Sequence, residues 1–106
     1  MKRFLLIAFC LVALAACSHP GARYVGKWVD MKSPSNVVNI SDNGGTMTVE
    51  VVSPNVWNGA QETEKFVGVA KDGQLQVKAE MGTISFVIVK STGHLIGGGD
   101  EYKRAN

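Results

Sequence analysis

Cysteine is nearly missing from this chain: Cys10 and Cys17 are the two it has. Cys10 sits inside the apolar run Phe4–Ala16 and Cys17 directly after it, so nothing downstream can form an internal disulfide. Small exported domains often depend on such bridges, and this one must stand on its core alone. Helical periodicity is lacking as well. No stretch after residue 17 carries a capped 3.6-residue apolar repeat, which excludes helical bundles and α/β folds. Charge of one sign is also missing: without Lys2 and Arg3, nine of the eleven basic residues remain, against nine acidic ones. A balanced surface offers no electrostatic case for nucleic acid. The two histidines, His19 and His94, have no cysteine partners at zinc spacing, and no Asp-rich loop has calcium spacing. Gly97-Gly98-Gly99 lacks the following helix and the Lys-Ser/Thr of a phosphate loop. Neither a metal nor a cofactor is expected.

What the chain does have begins at its N-terminus. Met1-Lys2-Arg3 is basic, and Phe4–Ala16 is a 13-residue run without charge. Crossing a bilayer takes about 20 apolar residues, so the segment reads as the helix of an export signal. It ends in Leu14-Ala15-Ala16-Cys17. This resembles the lipobox of bacterial lipoproteins. The resemblance implies cleavage after Ala16 and acylation of the Cys17 thiol, a soft nucleophile when ionised. Ser18, where an aspartate would favour retention in the inner membrane, implies the outer membrane. The expected organisation is a signal peptide over 1–16, a lipidated tether over 17–23 and a small domain over 24–106. The expected location is the periplasmic face of the bacterial outer membrane, held by the lipid on Cys17.

The domain reads as all-β. Short runs rich in β-branched and aromatic residues alternate with turn residues. Strands are expected at Tyr24–Lys32, Val37–Ser41, Thr46–Ser53, Glu62–Lys71, Gln74–Met81, Thr83–Lys90 and His94–Lys103. Asn43-Gly44 marks a hairpin, because both central residues of a type I′ turn need positive φ. Asp72-Gly73 closes the fourth strand. About seven strands in chain order make a small antiparallel meander, either a curved sheet or a small barrel. In Thr83–Lys90, Ile84, Phe86 and Ile88 share one face, while Val87 and Val89 make the other apolar too. Cover on both sides is expected there, from a fold-over of the sheet or a partner.

Gly26-Lys27-Trp28 opens the first strand. It resembles the Gly-x-Trp of lipocalin-like barrels, in which a basic side chain near the last strand lies over the tryptophan. The resemblance assigns that part to Arg104 by cation–π contact and implies architecture before ligand. Three glycines inside a final strand imply a sharp bend, a bulge or a close backbone approach.

Catalytic chemistry finds little footing. His94 is the one histidine of the domain, no nucleophile elbow precedes a helix, and the carboxylate pairs Glu62/Glu64 and Asp100/Glu101 suit a solvated face. No enzyme is expected. Trp57 stands out, in a Pro/Asn/Gly-rich loop of about nine residues, the longest expected connection. It is either a contact residue, with Asn55 and Asn58 bonding a partner, or a plug that folds back onto the barrel end. Two functions fit: an envelope module that binds another protein, and a lipocalin-like carrier of a small apolar ligand.

Overall fold

The computed structural model describes residues 21–80 and 82–105; the signal segment and Cys17 lie outside them. Eight strands follow a short 3-10 turn at Ala22–Tyr24: β1 (Gly26–Asp30), β2 (Val37–Asn43), β3 (Thr46–Pro54), β4 (Gln61–Lys71), β5 (Gln74–Ala79), β6 (Gly82–Ile88), β7 (Leu95–Gly97) and β8 (Asp100–Arg104). Each pairs antiparallel with the next. The sheet closes on itself through β1 and β8, with Trp28 opposite Arg104 and Asp30 opposite Tyr102. Closure removes the outer edges that an open meander would expose.

Two turns differ from expectation. The β2–β3 hairpin turns on Gly44-Gly45, at φ +68° and +112°, with Asn43 opposite Thr46; Asn43 is the last strand residue, and Asp42 Oδ1 accepts the Gly44 N–H at 3.1 Å. The expected strand His94–Lys103 is two strands, because Gly98-Gly99 turns the chain back and pairs Gly97 with Asp100. That makes eight strands instead of seven. Asp72-Gly73 does turn with positive φ at both residues.

The described fold also begins ahead of residue 24. Gly21 is buried, its Cα so near Met47 that an added Cβ would lie 2.6 Å from the sulfur. The folded part has therefore begun by Gly21.

Alternation fills the interior. Trp28, Val38, Ile40, Met47, Val49, Leu75, Val77, Phe86, Leu95 and Tyr102 point inward and are buried. Eight strands leave a bore just wide enough for side chains. Gly97 makes room for the Phe86 ring, which would lie 2.3 Å from any Cβ placed there. Phe86 and Tyr102 meet tilted, with centroids 6.4 Å apart. Asp30 is the buried charged residue of the described chain; its Oδ1 accepts the N–H groups of Lys32 (2.8 Å) and Ser33 (3.2 Å), which shapes the β1–β2 connection.

Among the described residues nothing covers the outer face of β6. Val87 is 38% exposed beside Ile96 of β7, and no layer of sheet folds over them. Val89 has left the strand, and its carbonyl accepts the Gly93 N–H in the following turn.

The β3–β4 hairpin outruns its neighbours. Pairing of β2 with β3 ends at Val52, so among the described strands Ser53-Pro54 and Gln61-Glu62 pair only with each other. On the far side, β4 pairs with β5 only from Gly68 to Lys71. The hairpin thus leaves the barrel wall as a two-stranded ribbon.

Candidate functional site

The ribbon ends in a loop built by its asparagines. The Asn55 N–H donates to the Ala60 carbonyl (2.7 Å) and the Gly59 N–H to the Asn55 carbonyl (2.9 Å). Inside this frame, Asn55 Oδ1 accepts the Trp57 N–H at 2.7 Å and Asn58 Oδ1 accepts the Ala60 N–H at 2.9 Å. These are Asx turns, in which a side chain stands in for a backbone carbonyl. Asn55 Nδ2 also donates to Glu62 Oε1 across the base of the loop. With the polar groups turned back into the loop, the two apolar side chains are thrust outward: Val56 is 90% exposed and Trp57 91%.

This geometry overturns the plug. Trp57 stands in solvent at the tip and takes no part in the core. It also revises the frame of the expectation. The strands reach Pro54 and Gln61, so the connection is six residues, 55–60, no longer than 31–36 or 89–94. Pro54 did not stop the strand because at its extreme end a missing N–H costs little. Asn55 and Asn58 spend their oxygens on the loop itself, so their part here is to hold Trp57 in place. Glu62, which pins Asn55, entered the sequence reading only as half of the carboxylate pair Glu62/Glu64 on a solvated face; as the second residue of β4 it carried no pattern that pointed to Asn55.

No known protein family, curated protein or solved structure matches the chain. The site therefore has to be read from its own geometry.

At the opposite end, Gly26, Trp28 and Arg104 come together. Trp28 is fully buried, and its Nε1 donates to the Tyr24 carbonyl at 2.9 Å. The Arg104 guanidinium carbon lies 4.2 Å from the centroid of the Trp28 ring. Its Nη1 donates to the Val25 carbonyl at 2.8 Å, and its Nη2 donates to the Arg23 carbonyl. Gly26 permits this, since a Cβ there would lie 2.7 Å from Nη1. A cation over an indole stabilises by about 0.5–2 kcal/mol. The cluster ties the 3-10 turn at Ala22–Tyr24 to β8. Tyr24, which sequence reasoning placed only as a strand residue, completes it by donating its hydroxyl hydrogen to the Gly73 carbonyl at 3.2 Å. Burial raises the Tyr24 pKa above its ordinary value, opposed by the charge of Arg23.

His94 and Glu101 form a surface pair, Nδ1 to Oε2 at 2.6 Å. It braces the β6–β7 connection against β8. Among the described residues no three His, Cys, Asp or Glu side chains gather as metal ligands would.

Proposed function

We propose that the chain is a lipoprotein of the bacterial outer membrane, anchored through acylated Cys17, whose β-barrel binds another envelope protein through the tip of the β3–β4 hairpin. The observation that carries this reading is the exposure of Val56 and Trp57 on a frame of four backbone and side-chain hydrogen bonds. An apolar pair left fully in water is unfavourable unless something covers it, and tryptophan is enriched among residues that dominate binding energy. A convex tip of this kind suits a concave pocket on the partner. The frame reduces the ordering cost on binding. The reading is one of binding and not of catalysis.

The test is recovery of partners from envelope extract with the lipidated protein as bait. Trp57→Ala is expected to weaken capture by about 2 kcal/mol and leave the melting temperature unchanged. Equal capture by the wild type and the variant overturns the role of the tip. Stable anchoring takes more than one acyl chain, so intact-mass analysis is expected to show a chain starting at Cys17 and bearing several. An unmodified thiol or a retained 1–16 segment overturns the anchor.

A second reading, a lipocalin-like carrier, draws on the Trp28–Arg104 contact. Its weakness is room. Core side chains fill the bore, and the cleft at the hairpin end, about 340 Å³, is rimmed by Glu64 and Glu80. Native mass spectrometry separates the readings: a retained small apolar molecule favours the carrier, a co-purifying protein the module.

A further inference from the structure

The barrel wall is split next to the ribbon. Pairing between β4 and β5 runs from Lys71↔Gln74 to Gly68↔Val77 and stops. From Gln61 to Val67, β4 has β3 on one side and no described strand on the other, although β5 continues to Ala79 beside it. Each face of the sheet carries a cavity there. On the interior side is the cleft of about 340 Å³, lined by Glu64, Phe66, Ala79, Glu80 and Ile84. On the outer side is a groove of about 200 Å³, lined by Val67, Val69, Gln76, Lys78 and Thr83. An unpaired strand edge is a template for another strand, and its backbone groups bond any chain that lies along it.

The geometry points to strand addition: an extended peptide segment with lysine or arginine at alternate positions pairs with the β4 edge over residues 61–67, its basic side chains facing Glu64 and Glu80. Period-two alternation decides what the added strand must look like. Side chains on its inner face meet two carboxylates and the apolar floor of Phe66, Ala79 and Ile84. A long basic side chain matches both, with its methylene stem on the floor and its charge at the rim. Side chains on the outer face meet Thr63, Lys65 and Val67, so small uncharged residues fit there.

Charge also argues against a second copy of this chain. Antiparallel pairing of β4 with itself brings Glu62 and Glu64 of each copy face to face, and like charges directly opposite destabilise a ladder. The N-terminal segment leaves from the other end of the barrel, where Gly21 lies on Met47 and Tyr24 reaches Gly73. This edge is separate from Trp57 and does not depend on the tip reading.

The probe is a seven-residue peptide of alternating lysine and valine, titrated into the full chain in a non-ionic detergent. Binding is expected in the micromolar range, weakening with added salt, together with slowed hydrogen exchange at amides of residues 61–67. Glu64→Gln with Glu80→Gln is expected to weaken it about ten-fold. Both side chains are exposed, so an unchanged melting temperature separates lost binding from lost folding. A glutamate–valine peptide, and a lysine–valine peptide N-methylated at alternate amides, are expected not to bind. No binding at millimolar peptide, equal binding by either control peptide, or protection of 61–67 that tracks protein concentration as in a dimer overturns the proposal. Trp57→Ala is expected to leave the peptide affinity unchanged.

Discussion

Two residues, Gly97 and Trp57, mark opposite demands on a side chain. Gly97 is where the barrel has no room: its Cα faces the Phe86 ring so closely that a methyl group would overlap it. Gly97→Ala is expected to destabilise by about 1–3 kcal/mol, the range for overpacking a filled core, read as a lowered urea midpoint with unchanged slope. Trp57 is where the barrel offers no cover. Its emission is expected to be red-shifted and quenched by acrylamide, while Trp28 emits as buried; Trp57→Phe is expected to remove the quenchable component. The sequence hinted at both residues unequally. A run of three glycines announces some backbone necessity, but which glycine meets a ring depends on Phe86, eleven residues away and across β6 and β7. For Trp57, loop composition argued for exposure, yet a plug used the same residues. The difference lies in Asn55 and Asn58, whose side chains turn inward to the loop and so force the indole out.

At the level of elements, the hairpins show what alternation can and cannot specify. The inward sets of β3 and β5 are legible because apolar and polar residues alternate there with period two, while the adjacent Val37 and Val38 blur the pattern in β2. The turn between β2 and β3 was not. Moving it from Asn43-Gly44 to Gly44-Gly45 slips the register by two residues, which leaves every side chain on its original face; the pattern is blind to such a slip, while a slip of one would invert it. The break between β7 and β8 carried a signal that composition hid. Leu95 and Gly97 point inward, and so does Tyr102, an odd number of residues from Leu95. No single regular strand does that, and a turn must intervene. The outer face of β6 misled for another reason: apolar residues on both faces were read as cover on both sides, whereas Val87 and Ile96 shield each other only in part. The hairpin turn itself makes a sharp test. Gly44 lies at φ +68° with open space where a Cβ would go, so substitution there strains backbone and nothing else. Gly44→Val is expected to cost about 1–2 kcal/mol, and Gly44→Asn much less, since asparagine tolerates the left-handed region; chemical denaturation of the two variants reads the difference.

For the molecule as a whole, stability rests on a core that holds its two tyrosines uncharged, and this has a pH signature. Burial, with the nearby Asp100 and Asp30 carboxylates adding to it, pushes the Tyr102 pKa up to about 12 from an ordinary value of 10.0. Burial moves Tyr24 the same way. The folded state therefore holds these protons after the unfolded state has released them. Stability from this source is complete below pH 10, falls as pH rises from 10 towards 12, and levels off above. For Tyr102 the loss is on the order of 2–3 kcal/mol across that window. Urea denaturation between pH 9 and 12 is expected to show the decline, and Tyr102→Phe to flatten most of it.

The stitching of the chain's ends has a mechanical consequence. Arg104 holds the carbonyls of Arg23 and Val25, and the Ala105 N–H donates to the Lys27 carbonyl at 2.9 Å. The N-terminal segment leaves at this end, while the Trp57 tip projects from the other. On the proposed function, a pull between an anchor at Cys17 and a partner on the tip would run along the strands. It enters through β1, which is hydrogen-bonded to β2 on one side and to β8 on the other. Load in that direction shears both ladders at once and does not peel them one bond at a time. The barrel would then be a stiff link in series, and the proposed contact at the tip or the proposed anchor would yield before the fold.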